Sequence, residues 1–203
     1  RLKDKGYPVN NILDIIGNDD NTHTIVYTSP EFQPCSETFS EKYAFIGPSI
    51  RSANEEIEKK RDKLIYISMG TVNNDMMPFY KACISALRDT DYQVIMSVGN
   101  LVSIEDFGEL PENISVYSHV DQIAVLKKAD VFVSHCGMNS VSESLYFGVP
   151  LVMAPQTSEQ GGVAARTEML GAGIILKDTG ADAIRQAADR LASEESFRNN
   201  AKA

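Results

Sequence analysis

The sequence has no tryptophan, and its three cysteines, Cys35, Cys83 and Cys136, are an odd number spread widely over 203 residues. This spacing fits neither a disulfide framework nor a CxxC metal site, so we expect a reducing, cytoplasmic setting. The chain also lacks any uninterrupted apolar run near the roughly 18 residues that a membrane-spanning helix requires. We therefore expect no membrane span.

Basic residues are scarce as well. Lys and Arg number 19 against 28 Asp and Glu, which gives a formal net charge of -9. This charge repels phosphate backbones and anionic lipid headgroups, so neither a nucleic acid nor a membrane surface is an expected partner. If the protein binds an anion, the positive potential must be local and must come from a helix N-terminus or from clustered backbone N–H groups.

The remaining composition, 43% hydrophobic and 23% charged, is typical of a globular chain. From Lys63 onward, short β-rich runs alternate with helix-like stretches, which is the pattern of a doubly wound parallel sheet. The runs VFVS and LVMA are apolar without alternation, as expected of central strands that are covered on both faces. We predict an α/β fold with strands at 64–70, 92–99, 113–120, 131–135, 150–155 and 173–176, and helices at 75–90, 121–128, 140–147, 160–170 and 181–192.

Residues 1–62 do not show this alternation. They contain one convincing strand, THTIVYTS (22–29), with no sheet to join, and a charged run, NEEIEKKRDK (54–63), which predicts a solvated helix or a linker at a domain boundary. The absence of an initiator methionine and the end at SFRNNAKA predict that the sequence is an excised piece of a longer protein.

The most informative segment for chemistry is 129–160. A buried strand ends at His135, a tight turn follows, and Asn139 or Ser140 opens a helix that closes at Gly148. Free backbone N–H groups and the positive end of the helix dipole then face the carboxyl edge of the sheet. The segment therefore predicts an anion site that is built without cations.

Each of these residues also has a purely structural interpretation. Ser140 and Glu143 have the spacing of a capping box, so Glu143 is either a capping partner or a ligand contact. His135 is either a structural histidine or a ligand, and Met138 either packs or binds. A dyad of His135 with Cys136 is not expected, because neighbouring strand residues point to opposite faces. GxSxG, HExxH and P-loop strings are absent from the sequence, so those enzyme classes lack their residues.

Three segments resemble, in order and spacing, the donor-binding signature of UDP-dependent glycosyltransferases of family 1: SHVDQIAVL (118–126), FVSHCGMNSVSESLYFGVPLV (132–152) and PQTSEQ (155–160). In addition, ISMGT (67–71) is similar to the loop that opens their C-terminal domain. The strings GMNS and FIGPSI (45–50) resemble bacterial macrolide and flavonoid members.

The resemblance implies a GT-B fold, in which two Rossmann-like domains face each other across a cleft and the C-terminal domain holds the nucleotide sugar. It implies that the chain consists of a remnant of the N-terminal, acceptor-binding domain (1–48), a linker (49–62) and the C-terminal UDP-sugar-binding domain (63–203).

The resemblance also implies donor-binding roles for individual residues. The residues implied on the diphosphate side lie in the first loop and in the turn and helix start after the fourth predicted strand: Ser68, Thr71, His135, Gly137, Asn139 and Ser140. The residues implied along the nucleoside are His119, Gln122 and Glu143, with Glu143 on the ribose hydroxyls and His119 at the position of a tryptophan in plant members. Val120 and Met138 are implied to be donor-binding residues without a more specific role. Glu159 and Gln160 are implied to contact the sugar hydroxyls.

The implied activity is transfer of a hexose, in our reading glucose, from a UDP-sugar to a small lipophilic acceptor such as a macrolide, without a metal or a cofactor. No catalytic residue is assigned in this chain, because the family's base, a histidine, belongs to the N-terminal domain and His23 does not match it. Two alternatives stay open. One is a natural donor-binding subunit that needs a separate acceptor-domain partner, and the other is a sugar-nucleotide epimerase of GT-B shape.

Overall fold

The computed structural model describes residues 3–6, 22–71 and 74–203. The chain divides into two compact units, Arg1–Ser49 and Ile50–Ala203. The functional division at residues 48 and 62 stays a prediction.

The first unit contains a small parallel sheet. Strand β1 (Thr24–Val26) pairs with β2 (Tyr43–Phe45), and Ile25 lies opposite Ala44. The expectation that THTIVYTS has no sheet to join is therefore wrong. A strand of three residues is too short to give a periodic pattern, which is why β2 escaped detection. His23 is exposed and lies just before β1.

The second unit is a six-stranded parallel sheet, with the strand order β5-β4-β3-β6-β7-β8. These strands are β3 (Lys63–Ser68), β4 (Tyr92–Ser97), β5 (Ile114–Tyr117), β6 (Val131–Ser134), β7 (Leu151–Met153) and β8 (Gly173–Ile175). The helices of this unit are α1 (Met77–Leu87), α2 (Gln122–Leu126), α3 (Met138–Tyr146), α4 (Ser158–Met169), α5 (Ala181–Ser193) and α6 (Glu195–Lys202). The predicted α/β class with a doubly wound parallel sheet is confirmed.

Both faces of the sheet are covered, and consecutive residues of a central strand are therefore buried although they point in opposite directions. On β3, Ile65 and Ile67 belong to the core that packs beneath α1 and α5. The intervening Tyr66 faces the other layer, where its ring stacks on Phe132 with the centroids 4.8 Å apart. Full burial of each such side chain contributes about 1.5–3 kcal/mol to folding, so the apolar runs of the sequence determine the central strands.

The charged run 54–63 forms no helix, which leaves its interpretation as a linker, and one of its cations is paired: Lys59 Nζ lies 2.6 Å from Asp130 Oδ2. One helix is absent from the sequence predictions. Helix α6 was not predicted, since its sequence is polar and Ala201 is its buried residue. Among the residues that the structure describes, no helix combines the length and the apolar character needed to cross a bilayer.

Asp130 joins three separate parts of the second unit. Its carboxylate accepts hydrogen bonds from the backbone N–H of Leu64 at 2.8 Å, from Lys59 Nζ at 2.6 Å and from Arg198 NH2 at 2.9 Å.

Asp130→Ala is expected to lower the free energy of unfolding by about 2–4 kcal/mol, because it leaves a buried N–H group without an acceptor and separates two cations from their partner. Urea denaturation measures this change.

The matched control is Glu194→Ala, which removes the carboxylate of an exposed ion pair with Arg190. Exposed pairs are screened by water, so this variant is expected to unfold like the wild type. Equal midpoints for Asp130→Ala and Glu194→Ala would contradict the role given to Asp130.

Candidate functional site

A cavity of about 910 Å³ lies at the carboxyl ends of β3, β4, β5 and β6. Parallel strands bring their following loops to one edge, which is why segments distant in sequence meet here. The residues predicted from the sequence that line it are Ser68, Thr71, His119, Val120, Gln122, His135, Gly137, Met138, Asn139, Ser140 and Glu143.

Helix α3 begins earlier than predicted. Gly137 is its N-cap residue, with φ -61° and ψ 138°, and no side chain caps the helix. The predicted capping box is therefore wrong, because Ser140 already lies within the first turn. The first intrahelical bond runs from the N–H of Val141 to the carbonyl of Gly137 at 3.0 Å. The backbone N–H groups of the preceding helical residues are thus free of helical partners and suited to bind an anion.

Cys136 shapes the turn but is not reactive. Its backbone is left-handed, with φ 66°, and its N–H donates to Ser134 Oγ at 3.2 Å. The side chain is fully buried, and this burial raises the pKa of the thiol to about 12. A thiol with this pKa is protonated at neutral pH, which agrees with the expectation that Cys136 forms no catalytic dyad with His135.

The ring of His135 is held between two glycines. A Cβ atom on Gly70 would lie 2.7 Å from His135 Cε1, and one on Gly137 would lie 2.8 Å from His135 Nε2. The Nδ1 atom is buried and has no hydrogen-bond partner among the described residues. Burial lowers the pKa of His135 from its ordinary value, against the opposing effects of the Glu159 charge and of a hydrogen bond with the Ser68 backbone. The lowered pKa favours the neutral imidazole, which carries a single ring N–H group.

Glu143 is positioned by a neighbouring helix. Its Oε2 atom accepts a hydrogen bond of 2.6 Å from Gln122 Nε2, and that amide nitrogen also lies 3.4 Å from Ser140 Oγ. The Oε1 atom of Gln122 accepts from the hydroxyl of Tyr66 at 3.3 Å. Tyr66 is buried, which raises the pKa of its hydroxyl well above the usual range and keeps it a donor. The chain from Tyr66 through Gln122 fixes the Glu143 carboxylate at the cavity wall.

Sequence reasoning missed Arg51, which comes from the segment before the sheet and lines the cavity. Its NH2 atom lies 2.7 Å from Asp121 Oδ1, and the backbone N–H of Asn54 donates to Asp121 Oδ2 at 2.6 Å. The bond from Arg51 holds the pKa of Asp121 well below its usual range. Asp121 also caps α2 by accepting from the N–H of Ile123 at 3.1 Å. The available signal in the sequence was Asp121, an acidic residue of the segment SHVDQIAVL. Its partner Arg51 lies 70 residues away, so the sequence did not connect the two.

Six further small polar or glycine positions at this edge were not predicted, and the ends of the predicted strands 64–70, 92–99 and 113–120, which contain or adjoin five of them, were the available signal. These cavity-lining residues are Gly70, Asn74, Ser97, Gly99, Asn100 and Ser118. Within the described parts of the chain, no three His, Cys, Asp or Glu side chains cluster closely enough to hold a metal ion.

Glu159 and Gln160 lie outside the cavity lining, in the first turn of α4. The N–H of Gln160 donates to Thr157 Oγ1 at 3.3 Å, and its Oε1 atom accepts from the N–H of Gln156 at 2.8 Å. Glu159 is exposed. The side chain of Gln160 therefore closes the local turn, and the contacts of both residues with a sugar stay predictions.

Several known proteins are similar to this chain in sequence. Residues 81–203 match the model of the family described as erythromycin biosynthesis protein CIII-like, C-terminal domain. Over 173 residues the chain is 44% identical to the NDP-glycosyltransferase YjiC of Bacillus licheniformis, a match that covers 80% of this chain and 43% of that protein. The chain thus spans less than half the length of this relative.

Solved structures give the same result. The crystal structure of the glycotransferase of kitacinnamycin matches 98% of this chain and 53% of its own, with a TM-score of 0.89 and 31% identity. The calicheamicin glycosyltransferase CalG4 matches 99% of this chain and 51% of its own, with a TM-score of 0.85 and 29% identity. The family match covers more than half of the sequence, and both structural matches extend over nearly all of it. The chain therefore belongs to the erythromycin biosynthesis protein CIII-like C-terminal domain family and has the fold of the C-terminal domain of family-1, GT-B glycosyltransferases.

Proposed function

We propose that this chain binds the nucleotide-sugar donor of a glycosyltransferase, with UDP-glucose as the donor and a small lipophilic molecule as the acceptor. The observation that carries the proposal is the meeting of the α3 N-terminus, His135 and Glu143 at one cavity. The relatives are named as glycosyltransferases, which supports the reaction class, whereas the choice of uracil, glucose and acceptor rests on the sequence resemblance.

The anion-binding end of the cavity suits a departing diphosphate. When the bond between the sugar and the diphosphate breaks, negative charge grows on the β-phosphate and positive charge on the anomeric carbon. The free N–H groups at the start of α3 and the N–H of His135 are then hydrogen-bond donors to the phosphate oxygens. They supply positive potential in a protein whose net charge is -9.

The other end of the cavity suits the nucleoside. Glu143 uses one carboxylate oxygen to bind Gln122, and Oε1 has no hydrogen bond among the described residues. A carboxylate oxygen accepts from hydroxyl groups, so we assign the ribose hydroxyls to Glu143. Glu159 and Gln160 are proposed for the hexose hydroxyls, and the catalytic base and acceptor pocket are proposed to lie in another domain of the full protein. The cytoplasmic location also stays a prediction.

Calorimetry with UDP and UDP-glucose in excess EDTA tests the proposal. Both ligands are expected to bind without a divalent cation, because backbone N–H groups and His135 offset the diphosphate charge. Uridine is the control, and its affinity is expected to be far lower since it lacks both phosphates. Failure of UDP to bind would refute the proposed donor site, and a strict requirement for Mg²⁺ would refute the metal-free account.

A further inference from the structure

Asn74 is a buried polar residue on the wall of the same cavity. Its side chain is 2% exposed, and its Nδ2 atom donates to the carbonyl of Gly70 at 3.2 Å. Its Oδ1 atom is buried and has no hydrogen-bond partner among the described residues. A buried amide oxygen without a partner is costly to folding, so its retention points to a ligand that completes it.

The position of this amide is fixed by the backbone around it. Gly99 has φ +75°, and a Cβ atom there would overlap Asn74 Nδ2, so the amide packs directly against a backbone position that favours glycine. The carbonyl of Asn74 also accepts from the N–H of Met76 at 2.9 Å. Because Gly70 contacts both Asn74 and the ring of His135, the amide belongs to the same wall as the anion site.

The chemistry of an amide oxygen restricts its partner. The oxygens of a diphosphate diester carry no proton at neutral pH and cannot donate to Asn74 Oδ1. A hydroxyl or an N–H group of the ligand can. We propose that Asn74 Oδ1 accepts a hydrogen bond from such a group of the nucleotide sugar, either in its nucleoside or in its hexose. This inference rests on the proposed function, and it adds a binding residue that comes from the loop before α1.

The test compares UDP and UDP-glucose binding by Asn74→Leu and by the wild type. Leucine matches the branched shape of asparagine but has no acceptor, so affinity is expected to fall about tenfold. A loss for both ligands places the partner in the nucleoside, and a loss for UDP-glucose alone places it in the hexose. Asn74→Ala provides the same comparison if leucine prevents folding.

Asn113→Ala is the matched control, because Asn113 is a buried asparagine outside the cavity lining. Its Nδ2 atom donates to the carbonyls of Leu87 at 2.9 Å and Tyr92 at 3.1 Å. This variant is expected to lower the melting temperature and leave affinity unchanged. If the Asn74 variants also lose only melting temperature, Asn74 is structural and the inference is wrong. If the wild type binds neither ligand, the proposed function itself fails.

Discussion

His135→Ala is expected to weaken UDP-glucose binding by about 1.5–3 kcal/mol, roughly tenfold to a hundredfold in affinity. The imidazole is held between Gly70 and Gly137, and it is proposed to bind the diphosphate. Its loss removes a hydrogen bond to a charged group, and neighbouring side chains do not replace it. Calorimetry measures the change. His23→Ala is the control, because His23 is exposed and lies in the first unit, and its affinity is expected to match the wild type.

The lowered pKa of His135 predicts that the affinity for UDP-glucose depends on pH. Burial lowers the pKa of free His135, and a bound diphosphate raises that pKa because its charge favours the imidazolium. Binding therefore takes up a proton at pH values between the two pKa values, and affinity for UDP-glucose is expected to increase as pH falls through that window. UDP-glucose is the suitable ligand, since its diphosphate diester does not titrate there. If His135→Gln keeps the wild-type pH slope, His135 is not the group that takes up the proton.

Gly70→Ala is expected to reduce UDP-glucose affinity by at least about tenfold. Gly70 has φ +85°, and the added methyl group would lie 2.7 Å from Cε1 and 2.8 Å from Nε2 of His135. The alanine is strained by its backbone, and it must also displace the imidazole or the loop that carries Thr71. Both movements disturb the part of the cavity that is proposed to bind the diphosphate. Calorimetry measures the affinity, and thermal unfolding measures the backbone strain separately.

The variant Gly108→Ala is the control that distinguishes backbone strain from displacement of the His135 ring. Gly108 also has a positive φ, +68°, but a Cβ atom there meets nothing within 4 Å. This variant is expected to lose stability and keep its affinity for UDP-glucose. Equal affinity losses in Gly108→Ala and Gly70→Ala would mean that destabilisation, and not the contact with His135, explains the result.

Much of the fold was predictable because the relevant signals are local. The runs VFVS and LVMA are apolar at every position, and such runs become β6 and β7 only when both faces of the sheet are covered. The turn after β6 was also predictable, since glycine and small polar residues follow a buried strand. The short β2 and the polar α6 carry weak local signals, so neither was found.

The sequence by itself therefore determined the parallel α/β class, the central strands and the turn after β6 that is proposed to bind an anion, because apolar runs and helix starts are properties of neighbouring residues. Tertiary structure alone decided which side chains share the cavity. Gln122 holds Glu143 across 21 residues, and Asp121 holds Arg51 across 70 residues. Such contacts depend on the order of strands in the sheet and on how closely the glycine backbones approach neighbouring side chains. Neither property produces a periodic pattern in the sequence.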